Sequence, residues 1–278
     1  MRKFYLQNAL GERVDLNGPK YLFTTPSGLG LSYSISQDDI SNGFYQQTKI
    51  DYPAIQIMGD ITFIDATYED FRAFVDWLNK GSQLTFVYCP YGTEEFYCDI
   101  HVESLGKTEI EQGTKLTSTI VAVGQTPWYK PIAKIVNITP DAVESSTWDL
   151  EWDVVWANNN TAGETSVSAG GHLPSAIKAV ISGPLYNPEI LLLKDGNTVA
   201  KMALDDTTVL AGSVLTYSSL YTGAGVWIDG VSQIPALDLA NQNFFRVPLG
   251  GEYTLRITSE QSVSITGTVS IYDYYRSV

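Results

Sequence analysis

Only one stretch of this 278-residue chain carries a helical repeat. In TYEDFRAFVDWLNKG, Tyr68, Phe71, Phe74, Val75 and Leu78 recur at i, i+3 and i+4 spacing, the period of an amphipathic helix. Thr67 stands at the N-cap position, Asp70 three residues on completes a capping box, and Gly81 supplies the stop. The spacing predicts one helix near 67–80. Its apolar stripe could meet a partner or pack on a sheet, and periodicity favours the sheet. The rest of the chain alternates with period two or breaks at Gly, Pro and Asn. A chain this long with a single helix must bury its core against sheets, so the fold class is mainly β with one α-helix in the first domain.

The opening segment, MRKFYLQNALGERVDLN, shows the alternation. Phe4 and Leu6 alternate with Lys3 and Tyr5, Val14 and Leu16 with Arg13 and Asp15, and Asn8-Ala9-Leu10-Gly11 between them is turn chemistry. The pattern predicts a β-hairpin. Phe4–Leu6 is too short for the roughly 7–15 apolar residues of an export signal, and no run approaches the roughly 18 of a membrane span. QLTFVYC, FYCDIHVES and TKLTSTIVAV follow the helix as a run of hairpins.

GQTPWYKPIAKI then interrupts the pattern with Gly124, Pro127 and Pro131. This places a boundary between a first domain, 1–130, and a second, 131–278. The break is expected to contribute no core strand, with Trp128 and Tyr129 clamping it against a domain. Beyond it, STWDLEWDVVW sets Trp148, Leu150, Trp152, Val154 and Trp156 on one strand face. Such a stripe is either a sugar-stacking platform or a sandwich core, and strict alternation favours the core. Residues 158–174 read as a polar, Gly-rich loop. IKAVISG, EILLLKD, TVAKMAL, SVLTYSS, GVWIDG, FFRVPLG, EYTLRITS and SVSITGTVSIYDYY read as short strands of a sandwich or jelly roll.

Chemistry is sparse. Cys89 and Cys98 flank a turn. Pairing Pro90 with Glu95 makes them diagonal neighbours, about 7–8 Å apart, too far for an easy disulfide; a register shifted by two would set them face to face. Reduced thiols are expected. Zinc needs about four ligands, and the two histidines, His101 and His172, are remote in sequence, so no metal and no cofactor is expected. No nucleophile elbow, phosphate loop or zincin motif occurs. The adjacent acids Glu94-Glu95 and Asp205-Asp206 do not show the two carboxylates a glycosidase holds across a cleft. The net charge is −14, with 10 basic and 16 acidic residues in 1–130 and 7 and 15 in 131–278. Neither half carries a nucleic-acid footprint, and no membrane partner is expected.

The hairpin MRKFYLQNALGERVDLN running into YLFTTPSGLG, the helix YEDFRAFVDWLNKG, the TPWYKP segment, ISGPLYNPEI and FFRVPLGGEYTLRI together, in this order, resemble the distal tail proteins of siphophages infecting Gram-positive bacteria. The resemblance implies an N-terminal split-barrel, tail-tube-like ring domain followed by a galectin-like β-sandwich. It implies a homo-hexameric ring that joins the tail tube protein to tail-tip or tail-associated proteins and to receptor-binding or accessory baseplate proteins. It implies a virion protein assembled in the host cytoplasm, without enzymatic activity. SISQDDISNGFYQQTKIDYPAIQI then reads as a long loop whose Asp39, Phe44, Tyr45 and Tyr52 are candidates for the subunit interface; an ordinary surface loop is the plainer reading. A carbohydrate-binding baseplate protein acting through the second domain is the alternative function, and a tail-associated hydrolase lacks its motifs.

Overall fold

The protein is described from a computed structural model, over residues 2–65, 67–81, 83–110, 115–140, 161–241, 243–260 and 265–278. It divides into two compact units: residues 1–130 together with Tyr275–Val278, and Pro131–Tyr274.

The first unit contains β1 (Lys3–Asn8), β2 (Arg13–Asp15), β3 (Tyr21–Ser27), β4 (Ser34–Ser41), β5 (Phe44–Asp51), β6 (Gln56–Phe63), α1 (Tyr68–Leu78), β7 (Leu84–Cys89), β8 (Phe96–Leu105), β9 (Leu116–Gly124) and the start of β10 (Trp128–Pro140). An antiparallel sheet runs β2-β1-β7-β8-β9-β6-β3. The β1–β2 hairpin forms as its alternation predicts: the Asn8 side-chain oxygen accepts from the Leu10 and Glu12 N–H groups, both at 3.0 Å, and Gly11 takes a positive φ. In α1 the Thr67–Asp70 capping box is formed. Phe74 carries the helix into the core, edge-on to Phe63 at 5.3 Å, beside Phe4, Leu6, Phe23, Phe86 and Ile120. Each such side chain contributes about 1.5–3 kcal/mol on burial, which fixes the helix against the sheet.

The β7–β8 register is one residue off the expected one. Phe86 faces Cys98 and Val87 faces Tyr97. A one-residue slip turns a side chain to the other sheet face, so Cys98 lies in the core with Phe86 while Cys89 points from the opposite face. Both thiols are free and buried.

The second unit holds β11 (Thr161–Ser168), β12 (Leu173–Ser182), β13 (Leu185–Tyr186), β14 (Glu189–Lys194), β15 (Asn197–Ala203), β16 (Thr208–Val209), β17 (Val214–Ser218), β18 (Gly225–Ile228), β19 (Val231–Ser232), β20 (Glu252–Ser259) and β21 (Ile265–Tyr275), whose last residue already belongs to the first unit. One sheet runs β11-β20-β14-β15 and another β21-β12-β17-β18-β19. Val167, Ile190, Leu192, Leu255 and Ile257 from the first meet Ile177, Ile181, Leu215, Tyr217 and Val269 from the second in one core. This is a β-sandwich.

Three expectations change here. The stretch 158–174 is not all loop: β11 pairs along its whole length with β20. Its sequence hid this because only Gly163 and Val167 are buried within its described side chains; a Cβ on Gly163 would stand 2.5 Å from the Asn137 carbonyl oxygen. FFRVPLG is not a strand; Phe245 and Val247 are buried, but the ladder there is a single bridge, Ser175 to Val247. The proline-bearing break does supply a strand, β10, whose Val136 and Ile138 are buried in the sandwich core. Pro131 lies just past the pairing of β10 with β8 at Tyr129 and Tyr97, and the strand continues through it to Pro140. The tryptophan stripe of 148–156, Trp152 included, lies outside the described residues.

Candidate functional site: an exposed arm and its root

β4 and β5 form a two-stranded sheet of their own. What sequence reading takes as a long loop is a hairpin. Ser41 faces Phe44, and Asn42 and Gly43 between them both take positive φ, the two-residue turn that matches strand twist. The register jumps twice, leaving Ile40 and Thr48 unpaired, and such bulges re-aim side chains. Every strand residue but Asp51 is exposed. Apolar side chains nevertheless collect at the tip: Ile40, Phe44 and Tyr45 are 63%, 72% and 62% exposed, and Asp39 sits directly opposite Tyr45.

Of the four candidate interface residues, the fold thus brings Asp39, Phe44 and Tyr45 together. Tyr52 lies apart, at the root. Its ring is 5.3 Å from that of Tyr33, the Arg276 guanidinium stands 3.6 Å from its centroid, and Arg276 donates to its hydroxyl. The Asn-Gly dipeptide was the available signal for this hairpin. It was obscured because neither face is buried, so the flanking strands lack apolar alternation. Arg276 had no local signal, being 224 residues from Tyr52.

Trp128 and Tyr129 occupy the first unit. Trp128 is wholly buried, its ring edge-on to Phe86 at 6.1 Å and Tyr88 at 6.4 Å. Tyr129 stacks on Tyr97 at 5.6 Å and donates to the Asp99 carboxylate at 3.0 Å, which also accepts from Thr85 at 2.9 Å. Beside them Arg13 forks onto both oxygens of Glu95 at 3.0 Å, holding that carboxyl below its ordinary pKa. An open groove of about 510 Å³ runs between α1 and β8, with Val75, Leu78, Val102 and Leu105 on its walls and Lys107 at its rim.

Among the described residues the candidate catalytic groups stand apart. His101 and His172 are both exposed and lie in different units. Burial pushes the Cys98 thiol up to about 12, which leaves it unreactive at neutral pH. Glu94 and Glu95 point to different cations, Lys130 and Arg13. Among the described residues no three His, Cys, Asp or Glu side chains come together as a metal site.

An open sheet with, among the described residues, one α-helix and an exposed arm, followed by a sandwich, is a fold shared with phage baseplate components. The chain resembles a protein in the activated baseplate of phage P2 with calcium, at 13% identity and a TM-score of 0.68, with 100% of each chain covered. The same figures hold for the strontium form of that baseplate. It also resembles the Dit protein of phage SPP1, described as a paradigm of the hub adsorption apparatus in phages infecting Gram-positive bacteria, at 14% identity and a TM-score of 0.58 over 97% of this chain and 98% of that one. Residues 3–122 match the model of the distal tail protein N-terminal domain. Among curated proteins none matches.

Proposed function

We propose that this protein is a structural hub of the phage tail tip, without catalytic activity. The first unit, as the ring-forming domain, closes six copies into a ring that joins the tail tube protein to tail-tip or tail-associated proteins. The sandwich, galectin-like in this reading, stands as the docking module for receptor-binding or accessory baseplate proteins. The protein is assembled in the host cytoplasm and ends in the virion. The observation that carries the reading is the β4–β5 arm on a distal tail family domain: Ile40, Phe44 and Tyr45 form an apolar tip with no cover among the described residues, and a patch that fits a different surface on an identical neighbour generates a ring when the rotation closes. A charge of −14 per copy repels neighbours, so apolar burial at such contacts has to outweigh it. Native mass spectrometry at high protein concentration, with electron microscopy, tests this: six copies around a channel are expected, and a stable dimer would overturn it.

A further inference from the structure

Residues Tyr275–Val278 follow the second unit in sequence yet pack within the first. Several contacts hold them. The Val278 N–H donates to the Leu29 carbonyl at 3.0 Å, and both side chains lie against the first core. The Tyr275 ring stands edge-on to Phe96 at 5.3 Å. Between these two residues, Arg276 covers and hydrogen-bonds Tyr52, whose ring meets Tyr33.

The contacts of Val278 and Arg276 fall on the two legs of the arm. Leu29 and Tyr33 belong to the stretch that enters β4, and Tyr52 directly follows β5. A two-stranded hairpin is marginal by itself in water, and this one is exposed on both faces, so its own side chains cannot fix where it points. Only the root can. We infer that Tyr275–Val278 is a clasp that fixes the root of the arm: Arg276 and Tyr52 position the arm, while Ile40, Phe44 and Tyr45 at its tip engage a second copy of this chain. The inference rests on the interface reading above and divides its candidate residues, making Tyr52 a positioning residue and leaving the contact to the tip.

The test uses the full chain. Spin labels at Gln47→Cys on the arm and Asp76→Cys on α1, both exposed positions, report the spread of arm orientations in the monomer. Assembly is followed on unlabelled protein by native mass spectrometry. Arg276→Ala is expected to broaden the distance distribution, leave thermal unfolding close to that of the parent, and weaken assembly by about 2- to 30-fold, the range for one lost cation–π contact. Arg276→Lys keeps a cation over the ring and should recover part of the narrow distribution. Tyr52→Phe, which keeps the ring and removes only the hydroxyl, should give a smaller broadening and serves if Arg276→Ala folds poorly. An unchanged distribution overturns the clasp whatever happens to assembly, and a broadened distribution with full assembly overturns its positioning role. The paired variant Phe44→Ser, Tyr45→Ser separates the two readings: intact assembly there sinks the interface while the label distances still decide the clasp.

Discussion

Two hairpins in this chain are closed by the same device and end in opposite fates. β4–β5 turns at Asn42-Gly43 and β14–β15 at Asp195-Gly196, all four residues at positive φ. Ser41 faces Phe44 in one, and Lys194 faces Asn197 in the other. Both carry a bulge, with Thr48 and Val199 left unpaired. Yet Ile190, Leu192, Ala200 and Met202 of β14–β15 are core residues, whereas the arm buries nothing. Turn chemistry therefore decides that a hairpin forms and in which register; side-chain pattern decides whether it becomes the wall of a core or a limb.

The sharpest way to break this contrast is to place a carboxylate at matching points. Leu192→Asp should unfold the second unit, since an unpaired buried charge costs several kcal/mol. Phe44→Asp should leave thermal unfolding within about 0.5 kcal/mol of the parent and still abolish assembly. Loss of fold in the arm variant would mean that the arm has a hidden core face. A smaller effect comes from the turns. Gly196→Ala forces a left-handed conformation on a residue with a Cβ and should lower the stability of the second unit by about 1–2 kcal/mol. Gly43→Ala, made at the equivalent turn, should leave the melting of the first unit unchanged, because that unit is not built on the arm. The smallest effect concerns charge beside the buried part of the first unit. Glu95 has a depressed folded pKa through the Arg13 hydrogen bonds. Its contribution is therefore present above the unfolded value of about 4.3 and lost as the pH falls through the lower folded value. Both partners are partly exposed, so Glu95→Gln should cost no more than about 1 kcal/mol at pH 7, and its difference from the parent in acid titration of stability should fade below that window.

The parts of the fold that could be read from sequence are those in which one residue's surroundings are its neighbours in the chain. The capping box of α1 and the Asn8–Gly11 turn are local hydrogen-bond devices, and both form. Strands with one buried face, such as EILLLKD and EYTLRITS, announce themselves by alternation. β11 did not, because its buried positions include a glycine and its partner β20 lies some 90 residues on: Thr161 faces Ser259 and Thr165 faces Leu255. The arm had its turn signal but no alternation to confirm strands on either side. β10 was masked by Gly124, Pro127 and Pro131, residues that read in sequence as breaks. At the candidate site, the tip residues were named from aromatic character alone, and the separation of Tyr52 from them depends on Arg276, a contact that no spacing rule reaches.

The return of Tyr275–Val278 to the first unit has a consequence for the order of events during synthesis. At roughly 5–20 residues per second, the 144 residues from Pro131 to Tyr274 take roughly 7–30 s to emerge after the rest of the first unit is already outside the ribosome. Throughout that interval the nascent chain has its sheet and helix but not the strand end that holds its limb. On our inference, a copy becomes fit for assembly only when translation has reached residue 278, so a chain cut short anywhere in the sandwich would present its arm without a fixed root and be passed over by its complete neighbours.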